Sequence, residues 1–156
     1  GEEECIFVYV SYAPAECCLD FARRAFEAYP DRTGFLCVHE YLDTDLSLRE
    51  AAFPLLENVV KPCPNVYYVL CGHRYNSNYV PLELDDDGDG LSDRTVYQVI
   101  ANYQREGLEG GSGFIRFMRF SPREGMIRMY TYSPYLDRYN YYEDQLWLEE
   151  YVLPLP

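Results

Sequence analysis

The chain reads as one α/β domain with a mixed parallel and antiparallel sheet flanked by helices, and three observations predict it. Three short apolar runs, Cys5 to Val10, Phe35 to Val38 and Val66 to Cys71, alternate with two stretches of helical periodicity. Two further runs, Phe114 to Phe120 and Met126 to Tyr132, flank a turn at 121–125 as an antiparallel hairpin does. Finally, 156 residues with no linker or internal repeat suit a single domain spanning 1–156 that can bury a core of its own.

Taken in order, Cys5 to Val10 (CIFVYV) is apolar on both faces, as a strand covered on each side would be. Cys18, Phe21, Ala22, Ala25, Phe26 and Tyr29 then fall at steps of three and four, the stripe of an amphipathic helix that stops at Pro30. Phe35 to Val38 gives the second strand. Leu48, Ala51, Ala52, Leu55, Leu56, Val59 and Val60 form the next helical stripe, with Pro54 as a kink or a late start, and Pro62 and Pro64 end it. Strand Val66 to Cys71 completes a β-α-β-α-β series whose crossovers are long enough for parallel neighbours. An irregular stretch follows, then a strand over Thr95 to Tyr103, the hairpin with its arginines expected on the outer face, and a last short strand over Gln145 to Leu148.

Composition removes several functions. Lys+Arg total 13 against 26 Asp+Glu, a formal charge of −13 with no basic run, which repels nucleic-acid backbones and anionic membranes. No apolar stretch approaches the roughly 18 residues of a membrane span. The chain opens on Gly and not Met, which reads as a processed chain, so the missing signal peptide leaves the compartment open. None of the six cysteines lies in a CxxC pair. Cys37 and Cys71 fall in apolar strands and Cys18 on a helix stripe, the positions of buried free thiols rather than nucleophiles.

The chemistry sits at strand ends. The only two histidines, His39 and His73, each follow an apolar strand, and ligands gather at the carboxyl ends of parallel strands. Neutral imidazole is the commonest metal ligand, so the pair reads as a metal edge, against the alternative that each caps its strand by a hydrogen bond. A second cation site is spelled by LDDDGDGLSD: Asp85, Asp87, Asp89, Gly90 and Asp93 match positions 1, 3, 5, 6 and 9 of a calcium loop. Val96 takes the place of the closing bidentate glutamate, so binding in the millimolar range of extracellular modules is expected, the alternative being a solvated Asp/Gly turn. The tyrosine-rich tail Tyr135 to Tyr142 is read as packing over a sheet, or else as a sugar- or protein-binding surface.

The ordered set VHEYLD (Val38 to Asp43), NVYYVLCGH (Asn65 to His73), VYQVIANYQ (Val96 to Gln104), GGSGFIRFMRF (Gly110 to Phe120) and TYSPYLDRY (Thr131 to Tyr139) resembles the carboxy-terminal half of bacterial calcineurin-like metallophosphoesterases, over nearly the whole chain. The resemblance implies half of a two-sheet sandwich flanked by helices, with divalent metals (manganese, iron or zinc) at the strand ends and hydrolysis of phosphomonoesters or phosphodiesters. Two metals serve that chemistry by polarising the phosphoryl oxygens and positioning a hydroxide for in-line attack. By resemblance His39 and His73 are metal ligands, while the family's Gly-His-x-His pattern ends here on Tyr75, a phenol in a ligand's place.

The family's amino-terminal motifs, with their bridging aspartate and nucleophile-holding residues, are missing upstream of His39. The expectation is therefore a fragment or degenerate homologue of a metal-dependent phosphoesterase, with no catalytic residue of its own. Its rival is a non-catalytic interaction module stabilised by calcium. Half a sandwich would leave a sheet bare, so a separate amino-terminal half or a homo-oligomer is expected to cover it. An extracellular or cell-surface location is favoured over the cytoplasm.

Overall fold

The computed structural model describes residues 4–105 and 110–156. It is an α/β fold whose five-stranded mixed sheet has the order β1-β2-β3-β5-β4, from β1 (Cys5–Val10), β2 (Thr33–Val38), β3 (Val66–Cys71), β4 (Ser77–Leu84) and β5 (Arg94–Ala101). β1, β2, β3 and β5 run parallel, and β4 closes the far edge antiparallel to β5. The expected β-α-β-α-β series is present. The irregular stretch before Thr95 is corrected: it contains β4, hidden in the sequence because SNYVPLEL carries Pro81 and Glu83, residues tolerated only at an edge.

Helix α1 (Glu16–Glu27) lies against β1. Its buried stripe is Leu19, Ala22 and Phe26, whereas Phe21 and Tyr29 are exposed, so the stripe is narrower than the spacing suggested. The second helical stretch is broken into a 3-10 turn over Glu50–Ala52, α2 (Phe53–Leu55) and a π-type turn over Leu56–Val60. Pro54 stands in the first turn of α2, where its missing N–H costs no helical bond. Asn58 Nδ2 donates to the Pro54 carbonyl at 2.9 Å, one turn back along the chain.

A second sheet holds β6 (Ile115–Ser121), β7 (Met126–Ser133), β8 (Arg138–Tyr139) and β9 (Tyr151–Pro154), all pairing antiparallel with or around β7. The short strand expected over Gln145 to Leu148 is instead helical, α3 (Leu146–Glu149), and the strand follows it as β9. The period-two pleat sorts the core: Leu36, Val69 and Ile100 face the helices, while Phe35, Tyr68 and Val99 face Ile127, Met129 and Leu153 of the second sheet. Over β2, β3 and β5 both faces of the first sheet are thus covered within the chain. The expectation of a bare sheet is corrected there, while along β1 Phe7 and Tyr9 stay exposed on the face turned toward the second sheet.

The arginines of β6 divide. Arg119 is exposed with its cross-strand partner Arg128, but Arg116 turns inward, donating to Tyr103 Oη at 2.9 Å, to the Leu148 carbonyl at 2.9 Å and to the Glu149 carbonyl at 3.0 Å. It also contacts Ser77 Oγ. Tyr103 Oη in turn reaches Glu149 Oε2 at 2.9 Å and Thr131 Oγ1 at 3.0 Å, and burial raises its pKa. This polar bolt joins the two sheets at the carboxyl end of the parallel strands.

Among the described residues no helix is long and apolar enough to cross a membrane. Cys17, Cys18, Cys37, Cys63 and Cys71 are free thiols. Burial pushes the thiols of Cys37, Cys63 and Cys71 up to about 11, which keeps them protonated and poorly nucleophilic near neutral pH.

Candidate metal centre

The carboxyl ends of β2 and β3 deliver the two histidines to one place. The Gly72 amide donates to the His39 carbonyl at 3.2 Å, continuing the parallel pairing past the strands, and both imidazoles are exposed. His39 Nε2 lies 2.8 Å from His73 Nδ1, with ring centroids 4.7 Å apart. His73 has φ +62°, in the left-handed region, and its carbonyl accepts from Asn102 Nδ2 at 2.7 Å at the end of β5. A non-glycine residue in that conformation costs about 1–2 kcal/mol, and here the bend turns the ring back toward His39. We expect His73→Gly to be more stable than His73→Ala by about 1 kcal/mol, because both lose the imidazole and only the first relaxes the backbone. Urea unfolding of the pair checks this, and equal midpoints would show that φ stores nothing.

The nitrogen geometry can be tested against a metal. Two nitrogens at this separation subtend about 84° at an ion about 2.1 Å from each. That suits neighbouring positions of a six-coordinate ion better than a tetrahedral pair, near 109°. The same distance also fits a single N–H···N hydrogen bond, the capping alternative read from the sequence. One ion fits the two rings. Two do not, since no carboxylate bridges the open side of the pair among the described residues.

Behind the rings lies a charge cluster that sequence reasoning missed. Glu40, whose side chain is 2% exposed, sits 2.8 Å from Arg74 Nε, 3.2 Å from Arg49 Nε and 3.9 Å from His73 Nε2. Arg49 also bonds Asp43 at 2.5 Å. The Thr44 amide, then the Arg49 guanidinium, hold the Asp43 carboxyl below its ordinary range. VHEYLD shows Glu40 directly after His39, but Arg49 and Arg74 reach it only through the fold. Tyr12, just past β1, stands edge-on to His39 with centroids 5.8 Å apart and is 6.1 Å from His73. Tyr75, two residues past His73, lies under Arg105, whose guanidinium is 4.6 Å from the ring centroid.

The acidic loop is separate. It links β4 to β5 as a hairpin turn. It lies at the amino-terminal end of β5, so about 25 Å of strand separates it from the histidines. Carboxylate oxygens of Asp85, Asp87 and Asp89 all come within 4.8 Å of one another, and Gly88 and Gly90 have φ +82° and +91°. Asp93 stands apart from the triad, its Oδ2 accepting from the amides of Asp86 at 2.8 Å and Asp87 at 3.2 Å. Amides of Gly90 and Gly88 lower the Asp85 pKa. The tyrosine tail is partly a packing device, since Tyr141 stands 5.5 Å from Phe114, but Tyr135 and Tyr139 are exposed.

Fold and site together define a two-sheet α/β sandwich with a paired-imidazole edge. No family model and no solved structure matches the chain. It is similar to a protein of Bacillus subtilis (strain 168) described as uncharacterized protein YvnB, 37% identical over 138 residues. That match takes in 88% of this chain and 11% of the relative, so the chain spans about a tenth of the length of the protein it matches.

Proposed function

We propose that this chain is the metal-edge half of a calcineurin-like phosphoesterase, a fragment or degenerate homologue that binds one divalent transition metal through His39 and His73 and does not hydrolyse phosphate esters alone. The observation that carries this reading is the 2.8 Å approach of His39 Nε2 and His73 Nδ1 at adjacent strand ends. A bound manganese, iron or zinc ion would act as a Lewis acid toward a phosphoryl oxygen. The chain's own contribution is to orient: the bend at His73 and the Asn102 bond fix one ring, and Glu40 backs it from the far side. Metal content after equilibration with manganese or zinc and dialysis tests the reading. About one ion per chain is expected, falling to near zero in His39→Ala/His73→Ala; an unchanged content in the double variant, or none in the parent, would sink it.

A second reading is favoured by the clustering of Asp85, Asp87 and Asp89: a calcium-stabilised, non-catalytic interaction module. With a Kd of about 1 mM, 10 mM calcium adds about 1.4 kcal/mol and raises Tm by about 3–6 °C. The rise should vanish in Asp85→Asn/Asp87→Asn/Asp89→Asn. A melting curve indifferent to calcium rejects this module.

A further inference from the structure

The two edges of the first sheet are built differently. β4 carries Pro81 and Glu83, and its first residue, Ser77, donates to the Leu148 carbonyl of α3, so that edge is interrupted, charged and partly covered. β1 has none of these devices. Its six residues CIFVYV contain no charge and no proline, and they pair with β2 in unbroken register from Cys5↔Thr33 to Val10↔Val38. No strand pairs with its other side among the described residues. Phe7 is 40% and Tyr9 72% exposed along it, and Tyr12, 57% exposed, stands at its carboxyl end beside the histidines. Parallel sheets ordinarily bury such strands, and a long flat apolar edge is a template for one more.

We infer that the outer edge of β1 receives a β-strand that runs parallel to it, supplied by a polypeptide segment outside this chain. The source is argued from the relative, in which the stretch similar to this chain is 11% of a much longer polypeptide. The direction rests on the metal-edge reading: β1, β2 and β3 all point their carboxyl ends at the imidazoles, and only a parallel neighbour brings its own carboxyl end beside Tyr12 and His39. There it could fill coordination positions that two rings leave open. A second copy is the weaker occupant. Two-fold symmetry would pair β1 antiparallel with itself and send the two histidine pairs to opposite ends, and two chains of charge −13 repel.

The test co-expresses this chain with the segments of the Bacillus subtilis relative that flank its matched stretch, and follows hydrogen exchange at the amides of Ile6 to Val10. Exchange should slow about tenfold or more in the complex and return to the free rate in Tyr9→Lys, whose own melting temperature should hold because the side chain is exposed. A photo-crosslinking residue at Ser11 should capture the carboxyl end of the added strand; capture of its amino end overturns the parallel arrangement. Unchanged exchange overturns the docking, as does a dimer of this chain alone with β1 already protected. Protection of β1 with no metal lost in His39→Ala/His73→Ala leaves the docking standing and removes the metal reading instead.

Discussion

Arg94→Met is expected to destabilise the protein by about 3–5 kcal/mol, because it breaks a buried ion pair and strips three carbonyls of their donor. The Arg94 side chain is 3% exposed. It donates to Asp86 Oδ2 at 2.6 Å, to the Val66 carbonyl at 2.6 Å, and to the carbonyls of Val60 and Lys61 at 2.9 and 3.2 Å. One guanidinium therefore ends the π-type turn over Leu56–Val60, holds the start of β3 and anchors the acidic loop. Methionine fills the volume and supplies no donor, so the loss falls on hydrogen bonding rather than packing. Asp86 is a quarter exposed and can hydrate, which favours the lower part of the range. Arg94→Lys keeps the charge but cannot serve all four acceptors and should fall between parent and Met. Urea unfolding measures all three, and a loss below about 1 kcal/mol for Met would contradict the assigned role. The same variant should blunt any calcium response, since Asp86 belongs to the loop.

The parallel core was legible because β1, β2 and β3 are apolar on both faces and end on turn residues or histidine. Their order follows from crossovers of helical length. β4 was illegible for the reason that makes it safe: the proline and the charge that guard an edge also erase the strand pattern. Arg116 was readable but misread. Arg116 and Arg119 are three apart, so in a strand they must face opposite sides, and both could not be outside. The helical stretch after Leu48 showed its period but not its breaks, which depend on where Asn58 and Pro54 place their polar groups. At the site, the histidines were visible as strand-end residues. The cluster behind them was not, because Glu40, Arg49 and Arg74 come together only once the loop at 43–49 folds back and β3 lies beside β2. No periodicity encodes that meeting.

Glu40 carries the second large effect, and it joins stability to the site. Glu40→Ala leaves Arg49 and Arg74 facing each other without the carboxylate between them. A fully buried pair broken this way costs about 3–5 kcal/mol, but each guanidinium is about a third exposed and can take up water, so about 2–3 kcal/mol is expected. Glu40→Gln keeps shape and one acceptor for Arg74, and should cost about 1 kcal/mol. The functional prediction uses that milder variant. His73 presents Nδ1 toward His39 while its Nε2 lies 3.9 Å from Glu40 Oε1, beyond hydrogen-bond range, so the buried carboxylate reaches the ring only through its charge. If the proposed metal edge binds an ion, Glu40→Gln should weaken manganese or zinc binding by about 10-fold with both histidines intact, read by metal titration of a protein whose fold is verified by its melting curve. If Gln holds the metal within about twofold of the parent while Ala unfolds, Glu40 is only a structural counter-ion. If Gln loses metal and keeps its fold, the carboxylate is a positioning residue of the centre, and the VHE run at the end of β2 supplies both a ligand and the group that aims its neighbour.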